Sequence, residues 1–140
     1  IDAEIVLVVV LATDELQPLV ERLLTRRGAT DTCRVLLLRS TDRFDAFSAA
    51  YLALAACGTV NVELAAAAVP QVAVHASNRL TAWFIRNVLR PTVGHAALPN
   101  ILAGRRLLPE LLFEECAPIH IAKAALRLAA CPDTARAQAA

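Results

Sequence analysis

The chain has 140 residues, the size of one ordinary domain or of part of a larger protein. Hydrophobic residues make up 57% and charged residues 19%, a balance typical either of a membrane protein or of a parallel sheet that helices cover on both faces. No unbroken apolar run reaches the roughly 18 residues that a membrane-spanning helix needs, and the net charge of +1 does not indicate a nucleic-acid partner.

The start of the chain and its cysteines bear on its origin. Asp2 and Glu4 stand where a secretory signal carries positive charge, so no such signal is predicted. The four cysteines show no C-x-x-C spacing, which favours free thiols in a reducing compartment over disulfides or a zinc site. Because the sequence starts at Ile1 and contains no methionine, we expect a fragment or a processed product.

Hydrophobic periodicity predicts strands that alternate with helices. In chain order, the predicted elements are a strand over residues 4–12, a helix over 14–28, a strand over 33–38, a short helix that begins near Thr41 or Asp42, a strand over 51–56, a helix over 60–68, a strand over 71–75, and helices over 79–89, 107–115 and 118–130. The first helix has Asp14 and Gln17 at the spacing of a capping box, and Gly28 is a natural stop.

This alternation predicts an α/β fold, a Rossmann-like parallel sheet with helices on both faces. We expect one domain over residues 1–132, incomplete at its N-terminus, and a frayed tail over residues 133–140. In such sheets, ligands bind beyond the carboxyl ends of the strands. Candidate site residues are therefore expected in the loops "ATDE", "CGT" and "HASN".

The stretch "CGTVNVE" is the first candidate site. Gly58 lets backbone N–H groups approach an anionic ligand, Thr59 adds a hydroxyl, and a carboxylate at Glu63 suits a pair of ribose hydroxyls. The alternative is purely structural: Gly58 makes a turn, Thr59 caps the helix and Glu63 stabilises the helix dipole. Val62 occupies the capping-box position, so Glu63 lacks that structural reason.

Other motifs are missing or ambiguous. There is no GxGxxG or Walker loop, and the histidines have no i,i+4 partner, so we expect neither a metal nor another cofactor. A Cys57 nucleophile at a helix N-terminus is conceivable, but a packed thiol is the favoured interpretation. Trp83 is expected in the core. Five arginines lie in the second half of the sequence: Arg79, Arg86, Arg90, Arg105 and Arg106. They could contact a phosphate group or an acidic membrane surface, but the default interpretation is a solvated face.

The run "LPNILAGRR" is unusually apolar for a loop. Pro99 and Gly104 argue against an uninterrupted helix, and we expect a bend over the carboxyl edge of the sheet. In that arrangement the Asn100 amide faces the crevice, and Arg105 lies near the start of the next helix. An amide both donates and accepts, which suits a uracil, sugar or phosphate edge.

Several motifs occur together in one order: "CGTVNVE", "VPQVAVH", "TAWFIRNVL", "LPNILAGR" and "LPELLFEECAP". Together they resemble the C-terminal half of the lipid A disaccharide synthases, glycosyltransferases with two Rossmann-like domains in the GT-B arrangement. The resemblance covers nearly the whole chain from Ile5 to about Ala130. It implies the C-terminal, UDP-sugar-binding domain of an inverting, metal-independent enzyme of lipid A biosynthesis.

The resemblance also implies substrates, partners and roles. Such an enzyme joins UDP-2,3-diacylglucosamine to 2,3-diacylglucosamine 1-phosphate (lipid X) and releases UDP. Gly58 and Thr59 would line the diphosphate, Glu63 would meet the ribose, and Asn100 and Arg105 would lie at the UDP-sugar site. The location implied is cytoplasmic and peripheral at the inner membrane in a bacterium, or a mitochondrion or plastid in a eukaryote.

Some family features are replaced or missing. Cys57 replaces the usual serine of the family's Ser-Gly-Thr loop, and Phe113 replaces the glutamine that usually follows "PELL". After the fourth predicted strand, His75 and Ala76 occupy the positions where the family tends to have an aromatic and a basic residue. The family's "GSR" turn and its N-terminal domain, which carries acceptor binding and the proposed general base, are missing. We therefore expect no catalytic residue here and an inactive chain on its own; the second hypothesis is a non-catalytic module derived from this family.

Overall fold

The computed structural model describes residues 5–28, 33–76 and 95–139. The predicted helix over residues 79–89, which contains Trp83, Arg79 and Arg86, lies outside the described residues. So do Arg90 and, from the "HASN" loop, Ser77 and Asn78. The chain divides into two compact units, Ile1–Ala49 and Ala50–Ala140. Each unit is an α/β arrangement with a parallel sheet, so the predicted fold class is confirmed.

The first unit contains a two-stranded parallel sheet. Strand β1, Val6–Leu11, pairs in register with β2, Arg34–Arg39. Helix α1, Gln17–Arg26, connects them after a 3-10 turn at Asp14–Leu16, and a second 3-10 turn precedes helix α2, Arg43–Ala49. The predicted capping box is wrong, because residue 14 lies in the 3-10 turn and α1 begins without a side-chain cap.

The second unit contains a three-stranded parallel sheet. Its order is β3 (Ala53–Ala56), β4 (Gln71–His75) and β5 (Glu110–Leu112), with β4 in the middle. The helices of this unit are α3 (Val60–Ala66), α4 (Leu98–Ala103), α5 (Pro118–Ala130) and α6 (Pro132–Ala139). Val72 and Ala73 of β4 are fully buried, since β4 has a neighbour on each side.

The segment from Leu98 to Glu115 differs from the sequence predictions. The bend predicted at "LPNILAGRR" is helix α4, because Pro99 falls in its first turn, where a proline N–H is not needed. Gly104 then ends α4 in the left-handed conformation, with φ +63°, and no helix begins at Arg105. The helix predicted over residues 107–115 is also wrong, since this run supplies β5 and a 3-10 turn, Phe113–Glu115.

The C-terminal residues differ as well. Where a frayed tail was expected, residues form α6, and the side chain of Gln138 accepts a hydrogen bond from the backbone N–H of Gln71 at 2.9 Å. Pro132 at the start of α6 is compatible with a helix first turn. None of the helices among the described residues is long and apolar enough to cross a membrane.

Candidate functional site

The carboxyl edge of the three-stranded sheet is where a parallel α/β sheet binds its ligands. Residues 57–59 follow β3, His75 ends β4, and Phe113 follows β5. The first of these segments leads into α3, whose first turn carries Glu63. The sequence therefore predicted the correct location for the loop and the carboxylate, because both depend only on local strand and helix signals.

The loop after β3 leaves room beside its glycine. A Cβ placed on Gly58 would meet no atom of the described residues within 4 Å, and the φ angle of Gly58 is not in the left-handed region. The glycine is thus not required by the turn itself, and the open space beside it suits the close approach of a ligand to the backbone. The structural alternative, in which Gly58 is needed only for a turn, loses its physical reason.

Thr59 is exposed and precedes α3. Its side chain makes no capping hydrogen bond, although its backbone carbonyl accepts from the N–H groups of Val62 and Glu63. The structural alternative for Thr59, a side-chain cap, is therefore wrong, since residue 59 already has helical dihedral angles and its hydroxyl makes no capping bond. The Thr59 hydroxyl remains a polar group on the surface of the loop.

Asn100 lies in α4 and is fully buried. Its Nδ2 donates to the carbonyl of Leu108 at 2.9 Å and to Glu110 Oε1 at 2.8 Å. Its Oδ1 accepts from the N–H groups of Leu107 and Leu108 at 2.7 and 3.0 Å. All four hydrogen-bonding positions of this amide are used by the chain, so the expectation that it faces an open crevice is wrong. Asn100 fixes the chain that returns from α4 to β5.

Glu110 is a buried carboxylate that no pattern in the sequence singled out. This carboxylate lies on β5 with 6% of the residue exposed, and its Oε1 accepts from the N–H groups of Ala96 and Ala97 at 3.1 and 2.8 Å as well as from Asn100. Its Oε2 lies 3.7 Å from Nδ1 of His95, which is an ion pair when the imidazole is protonated. Charge-assisted bonds of this kind hold the start of α4 against β5.

The thiol of Cys57 packs against the buried residues Ala73, Ala97 and Leu108. Burial raises the pKa of Cys57, and the negative charges of Glu110 and then Cys116 raise it further. A raised pKa means less thiolate and a weaker nucleophile. This finding supports the packed-thiol interpretation over a catalytic cysteine, and all four cysteines are free thiols.

A pair of rings lies at the carboxyl ends of β4 and β5. The rings of His75 and Phe113 meet edge to face, with centroids 6.1 Å apart and planes at 86°. Phe113 adopts a left-handed backbone conformation, with φ +54°, which is strained for a bulky residue. Such strain is often found beside functional sites. The sequence does not predict it, because glycine, the residue that usually marks a left-handed position, is absent at 113.

Three further observations concern residues outside the loop after β3. Arg105 is exposed just beyond α4 and has no bonded partner among residues 5–28, 33–76 and 95–139. A cavity of about 300 Å³ opens at the amino ends of β3 and β4, lined by Tyr51, Pro70 and Leu128 among others. In the described part of the chain, no three His, Cys, Asp or Glu side chains are grouped as a metal ion requires.

The fold defines a class: Rossmann-like α/β proteins, whose ligand sites in general lie at the carboxyl edge of the parallel sheet. The model of one family, described as Lipid-A-disaccharide synthetase, matches residues 3–139. The chain therefore belongs to the lipid-A-disaccharide synthetase family, a family of glycosyltransferases.

Individual relatives agree with this assignment. The chain is 43% identical over 101 residues to the lipid-A-disaccharide synthase of Granulibacter bethesdensis. The matched region covers 70% of this chain and 25% of that protein. The corresponding enzyme of Gluconobacter oxydans is 39% identical over 97 residues, with 69% and 23% covered. That of Rhodospirillum centenum is 42% identical over 94 residues, with 67% and 23% covered. The chain thus spans about a quarter of the length of the curated relatives it matches.

Proposed function

We propose that the chain binds the UDP-sugar donor of an inverting glycosyltransferase that forms the lipid A disaccharide. The donor would be UDP-2,3-diacylglucosamine, the acceptor lipid X and the leaving group UDP. The observation that carries the proposal is the open space beside Gly58, at the carboxyl edge of a parallel sheet, in a chain of this family. A diphosphate that approaches the backbone there needs a residue without a Cβ.

Each predicted site residue has a proposed role in this site. Gly58 and the Thr59 hydroxyl line the diphosphate, Glu63 in the first turn of α3 bonds the ribose, and the Arg105 guanidinium supplies positive charge nearby. Asn100 contributes through the shape of α4, which packs against α3, because its own amide is saturated. These assignments require no metal and no other cofactor.

The acceptor side of the reaction is proposed to depend on regions that the relatives contain beyond the matched quarter. An inverting transfer needs a base aligned behind the acceptor hydroxyl, opposite the leaving UDP. None of the described residues is positioned in a way that identifies it as that base. We therefore expect UDP binding without turnover from this chain alone, and peripheral contact with a cytoplasmic membrane face is part of the same proposal.

A calorimetric titration with UDP tests the proposal. The folded chain is expected to bind UDP, and Gly58→Ala is expected to weaken binding at least tenfold, because the new methyl group occupies the space of the ligand. The new methyl group would contact none of the described residues in the unliganded chain, so the unfolding midpoint should not change. Glu115→Ala, at an exposed position on the 3-10 turn, is the control and should bind UDP normally.

The second candidate is a non-catalytic module of the same family, and the aromatic pair at the sheet edge favours it. Phe113, paired with the His75 ring, stands where the family has a glutamine. Ala76 stands where it has a basic residue, and Cys57 is a half-buried thiol instead of a hydroxyl. Loss of polar groups at this edge weakens the binding of an anionic ligand. A folded chain that gives no heat with millimolar UDP would reject the donor site and support this alternative.

A further inference from the structure

A chain of buried amides runs from the loop after β3 to the C-terminal helix. Gly58 N–H donates to Oδ1 of Asn61 at 2.8 Å, and Asn61 Nδ2 donates to Oε1 of Gln71 at 3.0 Å. The Nε2 group of Gln71 returns a bond to the carbonyl of Asn61 at 2.9 Å, and its backbone N–H reaches Gln138. The amides of Asn61 and Gln71, in residues that are 0% and 2% exposed, thus lie in the interior and are bonded to each other and to the backbone.

The contact between Asn61 and Gly58 is reciprocal. The backbone N–H of Asn61 donates to the Gly58 carbonyl at 3.3 Å, while the Gly58 N–H donates to the Asn61 side chain. Both backbone polar groups of the glycine are therefore bonded to one residue of α3. A glycine with open space around it has the greatest backbone freedom of any residue, and Asn61 removes that freedom.

We infer that Asn61 is a positioning residue for the proposed donor loop: it holds the Gly58 backbone in the conformation that receives the diphosphate. This inference rests on the proposed function. Asn61 is itself buried and directs its amide inward, so it does not touch the nucleotide. Gln71 has a different role, since it pairs with Asn61 inside the protein and has no bond to the loop.

The test is a double-mutant cycle with Asn61→Leu and Gln71→Met, two substitutions that keep side-chain size. Each single variant leaves buried amide groups unpaired and should lose stability, whereas the double variant removes both partners and should regain much of it. Only variants that lack the Asn61 amide free the Gly58 N–H. UDP affinity is therefore expected to fall about tenfold in Asn61→Leu and in the double variant, and to stay within about threefold in Gln71→Met.

A second readout follows the loop without any ligand. The sequence has four glycines, so a sample of the whole chain labelled with ¹⁵N-glycine gives few amide signals, and the Gly58 signal is the one lost in Gly58→Ala. Hydrogen exchange at Gly58 should accelerate at least tenfold in Asn61→Leu and in the double variant, but not in Gln71→Met. If Asn61→Leu alone fails to fold, hydrogen exchange at Gly58 is measured in the double variant, which also lacks the Asn61 amide.

The outcomes separate this inference from the proposed function. If the parent chain binds no UDP, the donor site is rejected, and Gly58 exchange alone decides the role of Asn61. Unchanged exchange and affinity in the folded Asn61→Leu or double variant would overturn the inference. So would losses of affinity that follow stability across all three variants, since they would indicate a purely structural amide pair.

Discussion

At the scale of single residues, the second unit depends on a few buried polar groups that each serve several partners. Glu110 and Asn100 are ten positions apart in the sequence, and together they hold the start of α4, the chain after Gly104 and the beginning of β5. A buried polar group contributes to stability only when its hydrogen bonds are made. Removal of the Glu110 or Asn100 side chain is therefore expected to lower the free energy of unfolding, by an amount that depends on whether a hydrogen-bond acceptor remains.

Substitution of Glu110 tests this. Glu110→Ala leaves the N–H groups of Ala96 and Ala97 and one Asn100 donor without an acceptor, for an expected loss of about 3 kcal/mol in the free energy of unfolding. Glu110→Gln keeps an acceptor oxygen and should lose only about 1 kcal/mol. Urea unfolding measures both values, with Glu115→Ala as the exposed control. Equal losses for the alanine and glutamine variants would show that the acceptor contacts are not what stabilises α4.

The sequence did not reveal these pairs, because the partner of a buried amide or carboxylate is set by tertiary packing and has no fixed spacing. "LPN" drew attention to Asn100 as a ligand contact, yet the amide is saturated internally. Glu110 was assigned to a helix and given no role. By contrast, Gly58, Thr59 and Glu63 were located correctly on the loop and first turn after β3, since a glycine between a strand and a helix is a local signal.

At the scale of secondary-structure elements, local pattern decided which predictions were confirmed. The strand Gln71–His75 and the helix Pro118–Ala130 have the predicted bounds. Each begins at or directly after a proline and carries a pattern of sufficient length. The run that contains β5 is short and apolar, a pattern that fits a strand and a buried helix equally well. Pairing with β4, a non-local contact, decided in favour of the strand.

Helix α4 ends at a glycine, which is a local signal of the sequence. Gly104 occupies a left-handed position, with φ +63°, where a Cβ costs about 1 kcal/mol or slightly more. Gly104→Ala should therefore lower the free energy of unfolding by about that amount, although no atom of the described residues lies within 4 Å of its Cβ position. Gly58→Ala is the matched control, since that glycine has the same open space without the left-handed φ. Thermal or urea unfolding compares them, and equal stability of the two variants would contradict the assigned conformation.

At the scale of the whole molecule, the two compact units differ in how much apolar surface they bury. Eight of the ten buried hydrophobic side chains of the described core lie in the second unit; only Leu11 and Phe47 lie in the first. In β1, Val6, Leu7 and Val8 are 42%, 38% and 39% exposed, although parallel strands are ordinarily covered on both faces. Local stability depends on buried apolar contacts, so the first unit should open more readily.

Native-state hydrogen exchange measures this difference. The amides of β1 and β2 bond to each other in a sheet of two strands, whereas those of β4 belong to the middle strand of three. We expect the slowest amides of β4 to exchange at least tenfold more slowly than the slowest amides of β1. Because exchange through local opening follows the free energy of that opening, the ratio should shrink as urea approaches the unfolding midpoint and global unfolding takes over. Equal protection of β1 and β4 in the absence of denaturant would show that the two units unfold as one cooperative body.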